Sequence, residues 1–154
     1  MSKKNSSVIL KEKIKNNEEL SYVYSVFKKR VKSYKNNKFL IAVSGGSDSL
    51  ALTALAKLFS FENKCKIYYV LVDHNLRKNS SSEAKLVKKL LKKHQIILNI
   101  LKNKKIIKNN IQNGARIIRY NLLLNFCKKK NIKTILTAHN LEDQVETFFI
   151  RLSR

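Results

Sequence analysis

Six consecutive residues, Ser44, Gly45, Gly46, Ser47, Asp48 and Ser49, combine small size, hydroxyls and one carboxylate in a pattern suited to phosphate chemistry. Gly45 and Gly46 are two of the three glycines in the chain, and glycine lets a backbone approach an anion with no side chain between them. The N–H groups of Gly45, Gly46 and Ser47 can point at a pyrophosphate, and Ser44 and Ser49 add hydroxyls. Asp48 does not suit a bare anion site. A carboxylate beside phosphates needs a divalent cation between them, so Mg2+ held by Asp48 and phosphate oxygens is the expected arrangement. The pattern is not the GxxxxGK[ST] phosphate loop; its plainer reading is a Gly-Gly turn whose Ser and Asp cap a helix.

Three other groups of residues have types and spacings that suit a site. His139, Asp143 and Glu146 fall at i, i+4 and i+7, a polar line on one helical face where two carboxylates suit a bound ammonium, or else merely a solvated acidic face. Arg116 and Arg119 lie one turn apart and can grip a carboxylate or phosphate through paired N–H donors, or else are surface charges of a basic protein. His74 and Arg77, within Asp73-His74-Asn75-Leu76-Arg77, either flank nucleotide or RNA or cap a loop. Tyr120 reads as core packing. Cys65 and Cys127 lie far apart with no CxxC or Cys/His cluster, so they read as buried free thiols rather than a metal site or redox pair.

The elements that must position these groups follow from hydrophobic periodicity. Val23, Val26, Phe27 and Val31 predict an amphipathic helix before an apolar strand, Phe39-Leu40-Ile41-Ala42-Val43. Ala51, Leu55, Leu58 and Phe59 predict the apolar stripe of a helix after the glycine loop. A second strand, Ile67-Tyr68-Tyr69-Val70-Leu71-Val72, ends at Asp73, and its unbroken hydrophobicity fits burial on both faces. Ser80, Ser81, Ser82 and Glu83 offer an N-cap to a helix carrying Ala84, Val87, Leu90 and Leu91. Residues 96–101 predict a third strand; Ile111, Ala115, Ile118, Leu122 and Phe126 another helix; residues 134–138 a fourth strand; and Leu141, Val145, Phe148, Phe149 and Leu152 a closing helix. Alternating strands and helices imply a Rossmann-like α/β fold, a mostly parallel sheet flanked by helices, with right-handed crossovers. Ligands in such sheets collect beyond the carboxyl ends of the strands, and the glycine loop, residues 73–77 and residues 139–146 all fall there.

A chain of 154 residues suits one domain, read here as a helical lead-in over 1–37 and a catalytic unit over 38–154. No stretch approaches the roughly 20 apolar residues needed to span a bilayer, and the polar start lacks a secretory signal, so a cytoplasmic protein is expected. The formal charge of +23 favours a polyanion such as RNA. Heavy use of lysine, asparagine and isoleucine with no proline offers a second source for that charge, a compositional bias.

The loop at 44–49 resembles the pyrophosphatase motif of the N-type ATP pyrophosphatase superfamily, whose members cleave ATP between its α and β phosphates. Together with residues 73–77, Gly114-Ala115-Arg116, Arg119-Tyr120 and residues 137–147, it resembles the catalytic domain of the tRNA(Ile)-lysidine synthetase family over residues 38–154. The resemblance implies an adenine nucleotide alpha hydrolase-like fold, ATP and Mg2+ as cofactors, and free lysine and the tRNA(Ile) with a CAU anticodon as partners. In that scheme residues 44–49 hold pyrophosphate, Asp48 organises Mg2+, Arg119 takes the lysine carboxylate, and Asp143 and Glu146 hold its amino groups. Asp143 or His139 acts as base; His74, Arg77 and Arg116 contact nucleotide or RNA. Two departures stand out: Glu142 replaces the first of two usual aspartates, and the family pattern would continue past Arg154, so a truncated catalytic domain is expected. The rival readings are a tRNA-thiolating relative and a noncatalytic ATP- or RNA-binding remnant.

Overall fold

The computed structural model describes residues 6–75, 79–103 and 111–138. Nine elements alternate along it: α1 (Ser6–Lys15), α2 (Glu18–Ser33), β1 (Lys38–Ala42), α3 (Ser47–Glu62), β2 (Lys66–Asp73), α4 (Ser80–Lys93), β3 (Leu98–Lys102), α5 (Ile111–Lys130) and β4 (Thr134–Thr137). The closing helix expected beyond residue 138 lies outside the described residues.

The four strands form one parallel sheet in the order β3-β2-β1-β4. From β1 the chain steps outward through α3 and α4 to β3, then returns through α5 to the other side of β1. That reversal between β1 and β4 opens a crevice at the carboxyl ends of the strands. Strand pleating sends alternate side chains to opposite faces. Ile41, Val43, Tyr69 and Leu71 pack with Ala56, Ala84 and Leu91 of α3 and α4, while Leu40 and Val70 pack with Leu123 and Cys127 of α5. Both faces are therefore covered, which is why β1 and β2 read as unbroken apolar runs.

Helices α1 and α2 extend the α3 face through a second cluster of Ile14, Tyr24, Val31, Phe39, Leu58 and Phe59. Asn17 caps α2, its Oδ1 accepting from Leu20 N at 2.9 Å. Glu62, at the end of α3, ties the helices together by accepting from Tyr24 Oη and Lys28 Nζ, each at 2.8 Å, with Lys11 Nζ at 3.4 Å. Burial alone would raise the Glu62 pKa, but the bonds from Lys28, Tyr24 and Lys11 outweigh it and hold the carboxyl below its ordinary value.

Helix faces are where the structure departs from the periodicity. In α2, Val23 and Val26 are exposed, and Tyr24 and Val31 are buried, since Tyr24 can place its ring in the core and its hydroxyl on Glu62. In α3 the exposed Ala51 gives way to Ser49, Thr53 and Ala56, small residues that let the helix lie close to the sheet. In α5 the buried line is Ala115, Leu123 and Cys127, with Ile111 exposed.

Helices α4 and α5 stop without glycine. Gln95 (φ 58) and Asn131 (φ 51) adopt left-handed backbone, and the next residues bond back into the last turn, Ile96 N to Leu91 O at 3.0 Å and Ile132 N to Cys127 O at 2.9 Å. Each isoleucine then packs beside the residue it bonds, the hydrophobic contact that accompanies this kind of helix stop.

Candidate active site

The crevice encloses about 490 Å3 and is bounded by the glycine loop, the end of β2 with the start of α4, the side of α5, and Thr137 and Ala138 after β4. The loop is built around one hydroxyl. Ser49 is 3% exposed, and its Oγ accepts from Ser44 N (3.2 Å), Gly45 N (3.1 Å) and Ser44 Oγ (3.0 Å) while donating to Gly46 O (2.9 Å). This hub folds residues 44–46 back over the first turn of α3.

The two glycines answer different demands. Gly45 has φ +94, and a Cβ there would lie 2.9 Å from Val87 Cγ2 of α4, so both the backbone and the neighbouring helix require glycine. Gly46 has ordinary φ and only Ser44 Oγ, at 3.7 Å, near a notional Cβ. The fold has room for a methyl group at 46, which leaves open space above the loop. Gly46 is also the N-cap of α3 and supplies no side-chain cap, and the first intrahelical bond runs from Leu50 N to Gly46 O. The first N–H groups of a helix have no partner inside it, and here the first two belong to Ser47 and Asp48, both exposed at the positive end of the helix dipole. Ser47 and Asp48 are exposed on that turn, with Ser47 Oγ donating to Asp48 Oδ1 at 3.1 Å.

The β2 wall is organised differently. Asp73 is 3% exposed; its Oδ1 accepts from Asn75 N (3.0 Å) and Ser80 Oγ (2.8 Å), and its Oδ2 from Ser81 Oγ (2.6 Å). Burial works to raise the Asp73 pKa, but the bonds from Ser81, Asn75 and Ser80, aided by the Lys102 charge, prevail and lower it. The serines expected to cap α4 thus serve Asp73 instead; the N-cap is Asn79, whose side chain makes no cap bond. Asp73 stood in the sequence motif without a role, and a carboxylate ending a strand seven and eight residues before paired serines was the available signal.

Across the crevice, Arg119 Nε donates to His74 Nε2 at 3.3 Å. Burial, then the Arg119 charge, lower the His74 pKa, partly offset by Asp73, which favours the neutral imidazole. Tyr120 lines the crevice rather than the core, whereas Arg116 lies exposed one turn before Arg119 and does not line it. The structure therefore brings together Ser44, Ser49, His74 and Arg119 around one cavity. Arg77, His139, Asp143 and Glu146 lie outside the described residues. No group of three or more His, Cys, Asp or Glu among the described residues is placed to hold a metal ion, and no described helix is long and apolar enough to cross a membrane. Both cysteines sit at the far end of the sheet from the crevice, Cys65 just before β2 and Cys127 near the end of α5, and burial raises both thiol pKa values.

Comparison with known proteins agrees with this geometry. The model of the PP-loop domain family matches residues 19–154. The chain is 43% identical over 123 residues to a tRNA(Ile)-lysidine synthase of Orientia tsutsugamushi, covering 78% of this chain and 27% of the relative. It is 43% identical over 127 residues to the tRNA(Ile)-lysidine synthase of Wolbachia pipientis, covering 79% and 29%. It thus spans little more than a quarter of the length of these curated relatives. Among solved structures, the U34-tRNA thiolase NcsA from Methanococcus maripaludis shares the fold, with a TM-score of 0.66 at 17% identity, over 76% of this chain and 42% of that one. A parallel sheet reversing at its first strand, a serine-glycine loop opening onto an uncapped helix at that reversal, and the family match lead to one conclusion: the chain belongs to the PP-loop family.

Proposed function

We propose that the chain uses ATP to join lysine to C2 of the wobble cytidine in the CAU anticodon of tRNA(Ile), giving lysidine, AMP and pyrophosphate. The observation that carries this reading is a crevice large enough for a nucleotide, lined by Ser44 and Ser49 of the loop that opens α3 and by Arg119 of α5, with α3 beginning at a glycine that supplies no side-chain cap. The family implies ATP use, the names of the relatives supply the tRNA chemistry, and the charge of +23 suits an RNA partner.

The C2 oxygen of cytidine is a poor leaving group. Its attack on the α-phosphate of ATP expels pyrophosphate and makes that oxygen part of an adenylate. The lysine ε-amine then attacks C2, and AMP leaves with the oxygen. In this scheme the amides of Gly46 and Ser47 and the Ser47 hydroxyl hold pyrophosphate, while Ser49 holds the loop in shape by engaging the Ser44 hydroxyl and the Ser44 and Gly45 amides. Asp48, exposed beside the loop, fits an Mg2+ ion completed by phosphate oxygens and water, since magnesium commonly takes one carboxylate plus substrate phosphates. When bound there, Mg2+ would supply positive charge against the phosphates.

Arg119 takes the lysine carboxylate, with His74, Arg77 and Arg116 toward nucleotide or RNA, and Asp143 and Glu146 take the amino groups. A lysine amine with pKa about 10.4 must lose a proton before it attacks, which assigns Asp143 or His139 as base. Residues 38–154 form the catalytic part, residues 1–37 its helical lead-in, and the activity belongs in the cytoplasm with its tRNA. Thiolation fits less well, because both cysteines lie at the end of the sheet away from the crevice. Incubation of the chain with ATP, Mg2+, lysine and the CAU tRNA, followed by mass spectrometry of digested RNA, should reveal a lysine-bearing cytidine. ATP binding with no such adduct would favour the noncatalytic reading.

A further inference from the structure

His74 and Arg119 are 45 residues apart and meet only because β2 and α5 flank the same crevice. Arg119 spends its Nε on His74 Nε2, and among the described residues the two terminal nitrogens of its guanidinium have no hydrogen-bond partner. An imidazole nitrogen that accepts a bond carries no proton, so the neutral ring must hold its proton on Nδ1. That Nδ1 is buried and has no partner among the described residues. A buried donor left unmatched destabilises a fold, and an apolar ring of similar size would avoid the penalty. The histidine is thus a poor choice for stability and a good one for holding the arginine.

We propose that His74 is a positioning residue which, as the Nδ1–H tautomer, fixes Arg119 through its Nε and leaves the paired terminal amino groups as a fork for an anion in the crevice. A guanidinium held at Nε presents two parallel N–H donors, the geometry that matches a carboxylate or a phosphate. The inference rests on the crevice being the ligand site proposed above but requires neither tRNA nor turnover. Two sources can supply the anion, free lysine through its carboxylate or the nucleotide through its phosphates.

The tautomer is read directly by 15N NMR of the histidine rings at neutral pH. A protonated Nδ1 with a bare, hydrogen-bonded Nε2 is expected, and a protonated Nε2 overturns the assignment whatever the chain's activity. Calorimetric titration with L-lysine and, separately, with inorganic pyrophosphate tests the fork. His74→Leu should melt no lower than wild type yet bind one of the two anions roughly tenfold more weakly; which one identifies the source. His74→Gln, whose amide oxygen can take the place of Nε2, should restore most of the loss. Arg119→Lys should match the His74→Leu loss, and the double variant should bind no more weakly than either single variant, since the two act as one unit. Losses that add, unchanged affinity for both anions in His74→Leu, or a wild-type chain that binds neither would overturn the proposal. Failure of lysidine formation alone would leave these readouts standing and count only against the tRNA chemistry.

Discussion

Two helix N-termini converge on the crevice, and they are built in opposite ways. Around α4 the hub is a buried carboxylate: Asp73 gathers Ser80, Ser81 and Asn75 and sets a negative charge against the start of the helix, where the dipole welcomes it. Around α3 the hub is a buried hydroxyl, Ser49, which satisfies the loop without adding charge, while the carboxylate on that turn, Asp48, stands in solvent. The first terminus is spent on the fold; the second carries no buried charge. Both begin after strands of the same sheet, so the chemistry of the hub, not the topology, is what separates them, and under the proposed function it is the second that takes the anion.

Asp73→Ala should give the largest change, since it strips the acceptor from two hydroxyls and an amide at a buried site; a loss of about 3 kcal/mol in urea unfolding is expected. Ser49→Ala removes a neutral hub, so its stability loss should be smaller, about 2 kcal/mol, while ATP affinity measured by calorimetry falls at least about tenfold as the loop loses its shape. If the ranking of the two in stability were reversed, the comparison would fail. The glycines sharpen it further. Gly45→Ala should destabilise by about 1–2 kcal/mol through its left-handed backbone, whereas Gly46→Ala should unfold within about 0.5 kcal/mol of wild type and still lose ATP.

Acid titration separates the hubs, because only one of them ionises. The folded pKa of Asp73 is lowered, so its contribution is fully present above the unfolded value near 3.9 and is lost as pH falls through the lower folded value. Unfolding midpoints should therefore drop on acidification, and the drop should shrink in Asp73→Asn. Glu62 is lowered too and acts in the same direction, so Glu62→Gln should remove a separate share of it. Ser49→Ala should leave the slope unchanged.

Much of this arrangement was legible in the chain. All four strands stood where apolar runs put them, because a sheet covered on both faces needs side chains of one kind throughout, and the glycine loop announced itself by composition. Helix faces were harder to place. Tyr24 displaced Val23 and Val26 from the core because Glu62, 38 residues away, satisfies its hydroxyl, and Thr53 and Ala56 were chosen for closeness rather than hydrophobicity. Periodicity weighs only apolarity, so both choices escape it. The serines before α4 were read as caps because capping is a local pattern, whereas their acceptor, Asp73, ends the preceding strand. The pairing of His74 with Arg119 needs the whole crossover through α5 and has no sequence signal.

The helix stops have a bearing on how this chain can change. Lysine, glutamine and asparagine occupy left-handed positions at 35, 95 and 131, where many sequences place glycine. Polar side chains are therefore accommodated at the ends of three helices. Position 45 accommodates none, since any side chain there meets Val87, so the packing of α4 against the loop, and not left-handed backbone alone, holds glycine at that position.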